Sequence, residues 1–398
     1  MVKSSPVVSG VLQAVTRFLK VESASAVILL VCAVVAMTIA NSSLGPAYES
    51  VLDFRLWLPV RTWINDALMA VFFYVVGMEI KSELTDGALA TREKAALPVV
   101  AAIGGMIAPA LVYTLLSPAG DAKHGWGIPM ATDIAFAVGI MSLLGKRIPT
   151  QLKVFLLALA IADDLGAVLV IALFYTSGIH LLALAGSLAI FIAIHLLSRK
   201  KIRHVWLHLP LAGLAWFLMH ESGIHATIAG VVLGFLMPHE DDNPDDPTPL
   251  ERWVHALHPY VGYGIMPLFA LANAGVVFGD VSLANLLTDP LVSAVSYGLF
   301  IGKPLGIFTA SFLAVKLKLA QLPERVTWGG LLGAGLMGGI GFTMAIFIAQ
   351  LALKSPEHIG LAKLGIMKGS ALSALVGLVF LAIAFGKPAQ NVSESSGR

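Results

Sequence analysis

The chain has 398 residues, 57% of them hydrophobic and 13% charged, with a formal net charge of +2. Its mean hydropathy is +0.85, whereas a soluble domain carries about a quarter charged residues, so water is excluded as the solvent for most of the chain. The single cysteine, Cys32, lies inside the first apolar run and excludes a disulfide framework or a paired-thiol metal site.

The apolar runs are long and continuous rather than short and alternating, which predicts transmembrane helices and not a β-barrel. In chain order the expected spans are 22–42, 60–80, 95–116, 124–143, 151–175, 182–198, 205–219, 223–237, 254–278, 290–315, 327–352 and 357–385. At about 20 residues each, twelve spans leave no room for a sizeable soluble domain. The chain therefore reads as one all-α polytopic membrane domain over 1–398, with tails at 1–20 and 386–398. The stretch before the first span carries Lys3, Arg17 and Lys20 and no small-residue cleavage site, so that span is expected to be retained. Residues 43–59 hold β-branched and aromatic residues between turn formers and predict a hairpin-like loop. The acidic, proline-rich stretch 237–253 reads as a solvated hinge.

Counting lysine and arginine on alternate sides of these spans puts 19 of 26 on one side and 4 on the other, with Lys303, Lys363 and Lys368 inside spans. Cytoplasmic loops are enriched in these residues, so both termini are expected in the cytoplasm.

A charge at membrane depth costs about 3 kcal/mol on insertion scales, so the ionisable residues within the spans mark the candidate site. Glu79 closes the second span, with Glu83 one turn beyond, where a glutamate is either ordinary interfacial chemistry or a gate. The fourth span, GIPMATDIAFAVGIMSLLG, carries Thr132 and Asp133 beside Pro129 and two glycines. The fifth carries Asp163 and Asp164 near its middle with no basic neighbour in the same span. His225 lies near the outer end of a short span, and His204 and His208 lack the intervening glutamate and third ligand of a zinc site. In the tenth span Lys303 precedes Pro304 and demands an anionic partner, for which Asp163, Asp164 and Asp133 are the deep candidates. The eleventh span is interrupted by Gly338, Gly339 and Gly341 before Thr343. Paired interruptions in the two halves of a chain point to an inverted-repeat transporter with its ion site at the interruption, although glycines also serve close helix packing.

Two central acids and a buried lysine suit a hard monovalent cation that competes with protons for the same oxygens. Loading the site with one or the other, and exposing it alternately, exchanges them across the membrane. No cofactor is expected, and no phosphate-binding G-x-x-x-x-G-K-[ST] loop is present. Two other classes fit part of the pattern. An intramembrane aspartyl protease needs Gly-x-Gly-Asp, yet Gly-Asp occurs only at Gly120-Asp121 and Gly279-Asp280 without the earlier glycine. A passive cation channel has no need of paired acids.

The segments MATDIAFAVG, LAIADDLGA, GKPLGI, SGIHATIAG, LFALANAGV and GIGFTMAIFIA resemble the NhaA family of bacterial sodium/proton antiporters from about residue 20 to 385. The resemblance implies an inner-membrane protein of twelve spans, with inverted three-helix repeats crossing at discontinuous fourth and eleventh helices. It implies Asp164 and Asp163 as the sodium and proton carboxylates, with Thr132 and Asp133 contributing at the crossing and Lys303 compensating charge beside Asp163. Glu79, Glu83 and His225 match positions tied to pH response, and Asp66 a polar position on the second span. Electrogenic sodium or lithium exchange, alkaline activation and a homodimer are also implied, with no nucleic-acid partner. The chain departs from the family where a glutamate usually precedes the first histidine of His-x-x-His-Pro: Val254 stands before His255, His258 and Pro259. Glu251, about one turn earlier, is the candidate replacement, and Glu251 and His255 are expected to join the pH-response residues.

Overall fold

The computed structural model describes residues 24–176, 178–202, 204–239, 247–277 and 283–386. The expected tail 1–20, nearly all of the tail 386–398, and the centre of the acidic break 237–253 lie outside the described residues.

Fifteen α-helices account for the described fold. They begin with α1 (Ala24–Ala40), α2 (Gly45–Leu52), α3 (Val60–Thr85) and α4 (Arg92–Leu116). A 3-10 stretch, Asp121–Met130, leads through extended residues to α5 (Ile134–Ser142). Then come α6 (Thr150–Phe174), α7 (Leu181–Arg199), α8 (Val205–Glu221) and α9 (Thr227–Leu236). The next helix, α10, runs from Pro249–Tyr260 through a π-helical turn, Val261–Ile265, into Met266–Asn273. The last five are α11 (Leu283–Thr288), α12 (Pro290–Lys316), α13 (Trp328–Gly338), α14 (Phe342–Ala352) and α15 (Pro356–Phe385).

Six of these, α3, α4, α6, α7, α12 and α15, are long and apolar enough to cross a membrane. The number rises to eight if the bent pairs α1–α2 (116°) and α13–α14 (48°) each count as one crossing. Length and apolarity alone therefore return fewer crossings than the twelve expected. The shortfall has local causes. Helix α9 has only 10 residues and α8 only 17, and the first turns of α10 carry Glu251, Arg252, His255 and His258. The loop expected to be hairpin-like over 43–59 is helical over nearly half its length, Gly45–Leu52, because Pro46 sits in the first turn of α2, where its missing N–H costs nothing. Antiparallel pairing there is confined to one isolated bridge, Arg55 with Pro59.

Two close crossings hold the core in register. Helix α9 lies on α3 through Gly230 and Gly234, where an added Cβ would meet Ala70 O at 2.1 Å and Tyr74 O at 2.5 Å. Helix α12 lies on α4 through Gly306 and Gly302, with added Cβ atoms 2.1 Å from Gly104 O and 2.7 Å from Pro109 Cα. Such backbone approach is how helices associate where lipid removes the hydrophobic drive between them. Three π-helical turns, at Trp63–Leu68, Val261–Ile265 and Gly298–Gly302, occur in the three helices α3, α10 and α12. Each inserts a residue and rotates the helix face beyond it.

Candidate functional site

The site forms where the extended residues before α5 cross the break between α13 and α14. Pro129 and the extended conformation of Ala131 end the 3-10 stretch, and the chain resumes as helix at Ile134 with Asp133 as its N-cap. The crossing is pinned in both directions: Asp133 N donates to Ile340 O at 2.7 Å, and the Thr132 hydroxyl donates to Gly338 O at 2.9 Å. The interrupting glycines pack as well as break. A Cβ on Gly339 would lie 2.5 Å from Leu299 O, and one on Gly341 2.8 Å from Leu299 Cδ2.

The helix ends that meet here leave backbone dipole ends in the protein interior, and three of the four meet a group of opposite charge, while the carbonyl end of α13 is met by the Thr132 hydroxyl and the Asp133 N–H. Asp133 faces two helix N-termini. Its Oδ1 accepts from Phe136 N at 3.1 Å in α5, and its Oδ2 accepts from Thr343 N at 3.1 Å and from the Thr343 hydroxyl in α14. The Ser370 hydroxyl accepts from Gly341 N and Phe342 N, both at 3.2 Å, and completes the cap of α14. At the carbonyl end of the 3-10 stretch, the Lys303 ammonium donates to Met130 O. Lys303 also donates to Asp163 Oδ2 at 2.5 Å, and both side chains are 1% exposed. Among the three deep acids, Asp163 is therefore the lysine's partner.

Asp164 points elsewhere. It is equally buried, its Oδ1 has no hydrogen-bond partner among the described residues, and it lines a cavity of about 50 Å3. That space has room for a few waters. Asp133, Met344 and Met266 share the inner part of the cavity, and Glu79 and His258 lie toward the ends of α3 and α10. Glu79 Oε1 and His258 Nε2 are 3.8 Å apart, with side chains 19% and 14% exposed.

The remaining sequence candidates fall into different settings. Glu83 accepts from Ala88 N at 2.5 Å and closes the turn after α3. His225 is half-buried just before α9. Asp66 lies 3.9 Å from His220. Glu251 is exposed and forms a reciprocal capping box with Thr248, accepting from Thr248 N at 2.8 Å while Glu251 N donates to the threonine hydroxyl at 3.2 Å. His255 is also exposed. The histidine that meets Glu79 is His258, three residues further on, which sequence reasoning noted only as part of a motif. Asp121, one of the two Gly-Asp positions, accepts from Lys354 N at 3.2 Å and from Ser355 N at 3.3 Å, and sits 3.2 Å from His358, rather than facing the central acids.

Long apolar helices around a buried lysine–aspartate pair, with a second buried acid on a small cavity where helix ends meet, define a multi-pass membrane protein with ionisable groups buried at its centre. The model of the Na+/H+ antiporter 1 family matches residues 16–381, and the chain belongs to that family. It is 48% identical over 377 residues to the Na(+)/H(+) antiporter NhaA of Vibrio campbellii, covering 94% of this chain and 96% of that protein. The same named antiporter from Aliivibrio salmonicida is 49% identical over 379 residues, covering 94% and 99%. That of Aeromonas salmonicida is 45% identical over 395 residues, covering 96% and 98%.

Proposed function

We propose that this chain is a secondary antiporter that exchanges sodium for protons, with Asp164 as the coupling acid. One observation carries the reading. Of two adjacent carboxylates, each with one oxygen lacking a hydrogen-bond partner among the described residues, one is neutralised by Lys303 while the other borders a cavity with room for water. Sodium, a hard cation, needs oxygen donors to replace its water. The carboxylates of Asp164 and Asp163 and the lone pairs of the Thr132 hydroxyl are the donors, and lithium fits the same set. Asp133 is assigned a positioning role, since helix N-termini already engage both of its oxygens. A proton on Asp164 removes the charge that attracts sodium, so the two loads exclude one another and the site alternates between them. Two protons per sodium, one from Asp164 and one from the Asp163–Lys303 pair, make the cycle electrogenic.

The wider architecture belongs to the same proposal. The twelve expected spans correspond in order to α1, α3, α4, the 3-10 stretch with α5, α6, α7, α8, α9, α10, α12, α13 with α14, and α15. The fourth and eleventh would be the discontinuous members of two inverted repeats. The lysine and arginine bias supports an inner-membrane orientation with both termini cytoplasmic, which puts the cavity mouth on the cytoplasmic side. A homodimer and activation at alkaline pH complete the reading.

The test is a pH-sensitive dye in everted membrane vesicles. Sodium added above pH 8 should release protons from acidified vesicles, and Asp164→Asn, which keeps volume but loses charge and titration, should abolish the response. No response from correctly inserted parent protein rejects antiport. Near-normal exchange by Asp164→Asn rejects that residue as the coupling acid.

A further inference from the structure

The cavity is lined by α3, α5, α6, α10 and α14, with Glu79 and His258 at one end, and three of these helices, α3, α10 and α14, pack together beyond its other end. Going away from the cavity mouth, Met266 and Met344 border the cavity. One turn further, Phe269 of α10 and Phe347 of α14 meet Phe73 of α3, with Phe347 at ring-centroid distances of 6.2 Å and 5.5 Å from the other two. All three rings are at most 1% exposed. A further turn out, Asn273 and Gln350 come from α10 and α14, and Asn65 comes from α3 two turns beyond Phe73.

These amides form a closed ring. Asn273 Nδ2 donates to Asn65 Oδ1 at 2.7 Å, and Asn65 Nδ2 donates to Gln350 Oε1 at 2.8 Å. Gln350 Nε2 closes the circuit by donating to Asn273 Oδ1 at 2.5 Å, and Asn65 Nδ2 adds a longer bond to the same oxygen at 3.3 Å. Asn273 is fully buried. Its second Nδ2 hydrogen goes to Phe269 O at 2.9 Å, which ties the amide layer to the aromatic layer. Asn65 sits in the π-helical turn Trp63–Leu68. The end of α10 is gripped from outside as well: Tyr48 of α2 donates to Leu271 O at 2.6 Å and Asn41 to Val276 O at 2.7 Å.

An aromatic layer excludes water and ions but is mechanically slippery, whereas a reciprocal amide ring is directional and holds three helices in one register. Amides carry no charge, so such a fastening neither competes for sodium nor titrates with the protons being carried. We propose that Phe73, Phe269 and Phe347 are the seal, and Asn65, Asn273 and Gln350 the latch, of the gate on the far side of the ion site. Opening the site to that side requires the ring to break and α10 or α14 to separate from α3. This rests on the antiport reading only for its purpose, since the gate itself is read by accessibility.

The test uses a Cys32→Ser protein carrying Met344→Cys as a reporter beneath the seal, and a cationic, membrane-impermeant thiol reagent applied to vesicles of each orientation. In the parent, labelling should come from the face that bears Glu79 and His258. Gln350→Met removes two ring bonds at nearly constant volume, so labelling from the opposite face should rise about tenfold or more. Asn65→Leu, scored the same way, covers the case in which the first variant fails to fold, with monodispersity in detergent as the check. Opposite-face labelling unchanged in a folded variant overturns the gate, even where sodium-driven proton release is normal. Increased opposite-face labelling supports the gate whether or not the variant still releases protons, whereas the antiport reading is tested by proton release from the parent.

Discussion

Asp163 and Asp164 are about 100° apart around α6, and that angle divides their work. One direction meets Lys303 and the other meets the cavity. A buried ion pair earns little net stability, but removing one partner strands a charge at a cost of about 3–5 kcal/mol. Lys303→Met should therefore lower the melting temperature of the detergent-solubilised protein by several degrees. It also releases Met130 O, a carbonyl at the end of a helix break. The double variant Lys303→Met with Asp163→Asn removes both charges and should melt above the single lysine variant. Additive losses would show that the pair is not coupled as the geometry requires.

At the scale of elements, the crossings are where small residues have no substitute. A Cβ at Gly306 would fall 2.1 Å from Gly104 O and 2.7 Å from Ala108 Cβ, so Gly306→Ala must push α12 away from α4. Overpacking of this kind costs about 1–3 kcal/mol. Because Lys303 is one turn away on α12, the variant should also slow exchange in vesicles. Gly264, whose added Cβ meets nothing within 4 Å, is the control, and equal losses from Gly306→Ala and Gly264→Ala would refute a crossing-specific effect. The acids and the lysine were legible in the sequence because a charge in an apolar run has no structural excuse. The glycines of α13 and α14 were legible as a weak point, but sequence could not separate interruption from packing, and here they serve both. The partner of Glu79 was not legible, since His255 and His258 lie only about 60° apart on one helix and only the approach of α3 decides which is inside. The amide ring escaped notice for a different reason. Asn65, Asn273 and Gln350 are neutral, far apart in sequence, and unremarkable one at a time near helix ends.

For the whole molecule, the division between a cavity on one side and a fastened seal on the other bears on how pH acts. Two devices are conceivable: protons competing with sodium at Asp164, or a separate sensor near the cavity mouth. The sensor expected from sequence included Glu251 and His255, yet Glu251 is spent on the Thr248 capping box and His255 is exposed, which leaves Glu79 and His258 at the mouth. On the proposed reading, competition is expected to be the larger effect. Acid should switch exchange off because a protonated Asp164 does not hold sodium, and alkali should switch it on. If one proton competes with one sodium, each tenfold rise in sodium should move the half-activation pH down by up to about one unit, by mass action on a shared group. The activation profile measured in vesicles at two sodium concentrations tenfold apart decides it. His255→Ala and Glu251→Gln should leave that sodium-dependent shift intact, while a profile that stays in place as sodium changes would return control of pH to a sensor outside the ion site.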